Sequence, residues 1–199
     1  MTRPPEQPGL PPLIRALIGP PGRLLLPATA LAGSLLMYGV SVPGDYFLTV
    51  MLAGFLCLVL AIVWIPRFVV ALLRADGRPG LRRHWLRWAA APVMGAAVTG
   101  LLYFDVPATA RFALSEASLE RFARAVAAGE ELEVGGRWVG LYTLDWAERT
   151  DGVVRFLVAG TGFIDRYGFA WSPGGEPPDD YGGAYHHLRG PWYEWREDF

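Results

Sequence analysis

Two adjacent histidines, His186 and His187, follow Asp179, Asp180 and Tyr185 within a few residues. Imidazoles and carboxylates in one segment are the groups that ligate zinc or move protons. The spacing argues against a shared metal, because successive side chains of a strand point to opposite faces. No HExxH pair and no pair of cysteine ligands accompanies them. The sequence therefore predicts no metal, no cofactor and no assigned catalytic residue. The run SPGGEPPDDYGGAYHHLRG (172–190) is long and rich in Gly and Pro, and connections of that length often carry function. Asp179, Asp180, Tyr185, His186 and His187 are thus the candidate binding residues. The plain alternative is a hairpin excursion that meets nothing.

The other motifs carry less. Gly160-Thr161-Gly162 has Asp165 where a dinucleotide fingerprint needs its third glycine, so it reads as a turn or bulge. Ser172 shares a segment with acids and His186, but spacing alone assembles no triad. There is no nucleophile elbow, P-loop or catalytic cysteine. Cys57, the only cysteine, lies in an apolar run, which excludes an intrachain disulfide.

The elements that would position these residues read as a small α+β unit, one helix followed by an antiparallel meander of about four strands. Residues 107–128 are helical, with Ser115 as a candidate N-cap for 116–128 and Gly129 ending the helix. Leu119, Phe122, Ala123 and Val126 recur at three- and four-residue spacing and form its apolar face. Strands are expected over 138–150, 153–159, 166–171 and 192–196. Asp151-Gly152 between two β-rich runs signals a two-residue hairpin. In that register Thr150 faces Val153, Glu148 faces Arg155 as an exposed ion pair, and Trp146 faces Leu157. Trp192, Tyr193 and Trp195 are expected to pack on the sheet.

The first half differs in kind. Three apolar stretches without a charge, 24–42, 46–65 and 88–104, read as a membrane α-helical region of three transmembrane helices. At about 1.5 Å per residue the first two measure roughly 28 and 30 Å, and the third is shorter. Ala30-Leu31-Ala32 has the form of a signal-peptide cleavage site, but only about six apolar residues precede it where such a signal needs roughly 7–15. The absence of ionisable side chains from the stretches argues against a transporter or pump. The lack of His there argues against haem held between them. Ala91 and Gly95, and Ala96 and Gly100, are small residues four apart in the third stretch. Such spacing lets helices approach closely, within one bundle or with another subunit.

Charge gives a direction. Residues 1–104 hold nine Arg and three acids, whereas 105–199 hold nine Arg and sixteen acids. Arg67, Arg74, Arg78, Arg82, Arg83 and Arg87 cluster between the second and third stretches, and only Asp45 lies between the first and second. The positive-inside rule puts the Arg-rich link in the cytoplasm. It puts the Pro-rich tail 1–23, with Arg3, Arg15 and Arg23, on the same side, and residues 105–199 outside. The Arg-rich link could hold anionic headgroups or serve only as the topology signal. No nucleic-acid motif accompanies it.

All 18 basic residues are Arg, and neither Lys nor Asn occurs; that usage fits GC-rich codons and leaves no N-glycosylation site. The segment VRFLVAGTGFIDRYGFAWSPGGEPP, with the closing HHLRGPWYEW, resembles small integral membrane proteins of high-GC actinobacteria. The resemblance covers mainly 107–199 and implies a membrane location and source, with no transferable activity. The expectation is a bacterial plasma-membrane protein with a three-helix region (24–104) and an extracytoplasmic α+β domain (105–199). Its partners would be the lipid bilayer and a protein, or a second copy of this chain through the third stretch, with no nucleic acid. A membrane-tethered enzyme using the 172–190 loop and an accessory subunit of a larger membrane complex are the rivals.

Overall fold

The computed structural model describes residues 24–73, 78–130, 135–178 and 183–197. Among these are five helices, α1 (Leu25–Gly39), α2 (Phe47–Leu73), α3 (Arg78–Arg83), α4 (Trp85–Tyr103) and α5 (Val106–Ala127). Six strands follow, β1 (Arg137–Val139), β2 (Tyr142–Thr150), β3 (Val153–Val158), β4 (Arg166–Trp171), β5 (Gly183–Arg189) and β6 (Trp192–Glu197).

The expected three membrane helices are corrected. Among the described residues only α2 is by itself long and apolar enough to cross a membrane; a second candidate arises there only if α4 and α5 count as one broken span. The reasons are local. α1 has 15 residues, about 22 Å of helix, against a hydrocarbon core of about 30 Å. The chain leaves it at Val40–Gly44, where the Tyr46 N–H returns to the Gly39 carbonyl at 2.8 Å. α4 has 19 residues, but Trp85, Arg87, Trp88, Pro92 and its glycines dilute the apolar run. α2 continues through Pro66 to Leu73, 27 residues in all.

The expected meander of about four strands is corrected to a six-stranded antiparallel sheet of order β1-β2-β3-β4-β6-β5. Two causes account for the difference. Gly140, at φ +63°, splits the predicted 138–150 strand into β1 and β2. The second half of the predicted 172–190 loop is β5, an edge strand paired only with β6. Its Gly-Ala start and paired histidines carry little strand signal.

The hairpin register is as read: Thr150 opposes Val153, Glu148 opposes Arg155 and Trp146 opposes Leu157. Asp151 and Gly152 both have positive φ, 51° and 83°, as a type I′ turn requires. Glu148 and Arg155 lie 3.6 Å apart, but the Arg155 side chain is only 13% exposed, its guanidinium lying against both the Trp146 and the Trp195 ring.

α5 begins nine residues before the predicted cap, so Ser115 is an interior residue whose hydroxyl donates to the Arg111 carbonyl at 2.8 Å. At its other end Gly129, at φ +83°, donates to the Val126 carbonyl and Glu130 donates to that of Ala125. This is a Schellman closure. α5 lays Phe112, Leu119, Phe122 and Ala123 on one sheet face, against Leu144, Phe156, Phe169 and Trp192. On the opposite face Trp146, Leu157 and Tyr185 pack around Val153, Ala170, Tyr193 and Trp195.

The chain divides into two compact units. The described residues of 34–53 and 98–199 form one, and those of 24–33 and 54–97 the other. The link between α1 and α2 therefore folds with the sheet, and its Val42 is part of the sheet's core.

Gly140 and Gly152 separate two costs of adding a methyl group. A Cβ at Gly152 meets open space, whereas one at Gly140 lies 2.7 Å from Ser115 Cβ. Both sites carry the left-handed penalty of about 1–2 kcal/mol, and Gly140 adds an overpacking cost of about 1–3 kcal/mol. Gly140→Ala should lower the denaturant midpoint clearly more than Gly152→Ala, as read by tryptophan fluorescence in detergent. Equal losses would show that the approach of α5 to the β1–β2 turn is loose.

Candidate functional site

The strongest chemical feature of the sheet-bearing unit is a buried cation. Arg111 is on the inner stripe of α5, one turn before Ser115 and two before Leu119, and is 9% exposed. Its Nε and Nη2 donate to the Leu141 carbonyl at 3.1 and 2.6 Å, and its Nη1 donates to Ser41 Oγ at 2.7 Å. Nη2 also reaches the Tyr46 hydroxyl at 3.4 Å. The guanidinium lies 4.8 Å from the Tyr142 ring centre, 5.3 Å from that of Tyr38 and 5.6 Å from that of Tyr46.

None of these partners is a carboxylate, so neutral dipoles and aromatic faces stabilise the charge. Arginine suits this role because it stays charged and spreads that charge over a planar fork. The Ser115 hydroxyl completes the join, since it accepts the Leu141 N–H at 3.0 Å. One side chain thus ties together the α1–α2 link, α5 and the β1–β2 turn.

Beside it lies a pocket of about 100 Å³, lined by Ser41, Pro43, Asp105, Thr109, Phe112, Tyr142, Phe169, Arg189 and Glu194, among others. A bulge at the end of β5 lets Leu188 and Arg189 both line it. Arg189 pairs with Glu116 of α5 and lies over the Phe112 ring. Glu194 faces the same space from β6. Burial holds its carboxyl above the usual carboxylate range; Asp105 and Asp45 add to the rise, and His186 opposes it. Burial and then Asp105 raise Asp45 as well. Burial pushes the Tyr142 phenol far up, against the pull of Arg111. Of these acids Asp105 and Glu194 line the pocket, and burial there favours the protonated form of Glu194. Among the described residues no group of three His, Cys, Asp or Glu could hold a metal.

The structure separates the residues proposed from the sequence. His186 opposes Glu194 and shares its side of the sheet. His187 stacks edge-on against Tyr193 at 5.0 Å, and its Nε2 lies 3.0 Å from the Gly190 carbonyl. Tyr185 opposes Trp195 and packs in the cluster on the helix-free face. Asp179 and Asp180 lie outside the described residues. Ser172 is buried and donates to the Gly175 carbonyl, while Gly160-Thr161-Gly162 forms a turn closed by the Thr161 hydroxyl on Val158. Of the small residues of α4, Ala91 and Gly95 line an apolar cavity of about 280 Å³ with Thr29, Cys57, Ala61 and Trp64, among others. A Cβ added at Gly95 or Gly100 would meet nothing within 4 Å.

Sequence reasoning missed Arg111, Ser41, Tyr46 and Glu194. One signal was present: Arg111, Ser115 and Leu119 are spaced by four, which places a charge on the stripe that must be buried. The chain matches no known family model, no curated protein and no solved structure.

Two predictions follow from these contacts. Arg111→Leu strands the Ser41 hydroxyl and the Leu141 carbonyl and should destabilise the fold by about 2–4 kcal/mol, since hydrogen bonds to charged groups contribute about 1.5–3 kcal/mol each. Chemical denaturation in detergent measures this, and a loss under 1 kcal/mol would remove Arg111 from its central place.

The second concerns pH. A carboxyl whose pKa is raised by folding binds more protons in the native state than in the unfolded one. Its contribution to stability is therefore present below the unfolded value and is lost as pH rises through the folded one. Glu194→Gln should then stabilise the fold at pH 7, and its advantage over the parent should shrink as pH falls to 4. A constant difference across that range would contradict the raised pKa.

Proposed function

We propose that this chain is a membrane-anchored protein of the bacterial envelope whose α+β domain lies outside the cytoplasm and meets another protein there. The observation that carries the reading is the state of α2. Only 6% of its most apolar stretch is buried within the chain, and Leu52, Phe55, Leu58, Ile62 and Ile65 are more than half exposed. A helix from the core of a soluble protein is mostly covered by its own chain, whereas a bilayer covers a helix like α2 from outside.

Direction then follows from the two ends of that helix. Phe47 and the link before it fold with the sheet, and the link carries Asp45 and no Arg. Arg67 and the arginines after it mark the other end. The ends of a spanning helix lie on opposite sides, and the positive-inside rule assigns the arginines to the cytoplasm. Because residues 98–199 fold with Phe47, this reading also requires the chain to cross back after Arg67, in the segment that holds α4.

A second reading, an accessory subunit or a second copy of the chain meeting α4, is favoured by the open space beside Gly95 and Gly100. An oligomer or stable complex recovered in mild detergent, and lost in Gly100→Leu, would support it.

An alkaline phosphatase fused after Phe199 tests the orientation, because the enzyme matures only outside the cytoplasm. High activity is expected. An inactive fusion, with a cytoplasmic reporter active at the same site, would reverse the topology.

A further inference from the structure

We infer that the β3–β4 loop, through Phe163 and Ile164, is a second membrane contact that dips into the bilayer at the boundary between acyl chains and headgroups. Phe163 and Ile164 are 75% and 69% exposed, among the most exposed large apolar residues of the sheet-bearing unit. They project from a loop that is held in place. The Gly162 N–H is shared between the Gly44 and Asp45 carbonyls at 3.1 and 3.0 Å. A Cβ at Gly44 would overlap the Tyr167 ring, so loop and link are in close contact.

The Phe163 ring packs on that of Phe47 at 4.8 Å. Phe47 is the first residue of α2, and the next residue, Leu48, is 79% exposed. The apolar surface of the loop is therefore continuous with the start of the candidate span.

The length of α2 sets the depth. From Phe47 to Pro66 the helix rises about 28 Å, close to the thickness of the hydrocarbon core. With Arg67 at one boundary, Phe47 falls at the other, and Phe163 falls with it. Aromatic side chains favour that level. Asp45, before α2, and Asp165, after the loop, would then lie among headgroups and water. The inference rests on the reading of α2 as a span and adds a lipid-facing site on the domain itself.

The test uses the full chain in phosphatidylcholine vesicles, in a Cys57→Ala background. An environment-sensitive fluorophore is attached to Ile164→Cys, to Leu58→Cys in mid-helix, and to Asp151→Cys at the hairpin tip. Nitroxide-bearing lipids then quench by depth. The expected result is loss of emission at 164 with shallow nitroxides, at 58 with deep ones, and at 151 with neither. Phe163→Cys repeats the reading one residue away, so that no conclusion hangs on a single variant. If 163 and 164 stay bright like 151 while 58 is quenched, the loop contact is overturned and the span stands. If 58 also escapes quenching, the span falls and the loop proposal falls with it.

Discussion

A buried guanidinium with no carboxylate among its hydrogen-bond partners is the constraint on which the sheet-bearing unit depends. Taking a cation out of water costs several kcal/mol even after the protein relaxes around it. Arg111 recovers that cost only if all its partners are present together: the Leu141 carbonyl, the Ser41 hydroxyl and the faces of Tyr38, Tyr46 and Tyr142. Those partners come from two segments far apart in sequence, 38–46 and 141–142. Satisfying one side chain therefore fixes the link before α2, the register of α5 and the β1–β2 turn at once. A hydrophobic residue at the same place would pack as well with any of several small shifts; the directional bonds of arginine do not allow them.

Close backbone approaches reinforce that join. Gly140 lets the β1–β2 turn rest on Ser115, and Gly44 lets the link rest on Tyr167. The Gly162 N–H then closes the link against the β3–β4 loop. These contacts lie at the end of the unit from which α2 starts, so the polar network and the apolar helix meet at one place. Asp105 and Glu194 face the pocket there, and Asp45 adds to the rise of the Glu194 carboxyl. The residues that make the domain specific and those that would hold it to a membrane are thus neighbours.

Much of the local structure was legible in the sequence because its signals are local. Asp151-Gly152 sets the hairpin register through turn geometry alone, and Gly129 closes α5 because only glycine takes that backbone shape easily. The apolar period of Leu119, Phe122 and Ala123 named the buried face. What failed was non-local. The first apolar stretch looked long enough to span, but Ser41 and Val42 serve the domain core instead of the helix. β5 gained its strand character from pairing with β6 and not from its own residues. The histidines drew attention by composition, yet the sheet places them against different neighbours, while Arg111 and Glu194 meet partners that only the fold brings near.

The hydrogen bond from Arg111 to Ser41 joins residues 70 positions apart, and that separation has a consequence for how the protein is made. Ser41, Val42 and Tyr46 leave the ribosome long before the sheet exists. A fragment beginning at Asp105 would hold the whole sheet and still lack the side chains that receive Arg111 and fill its core. The socket is synthesised first and the cation arrives later, so completion of the domain reports that the chain upstream has already reached its place.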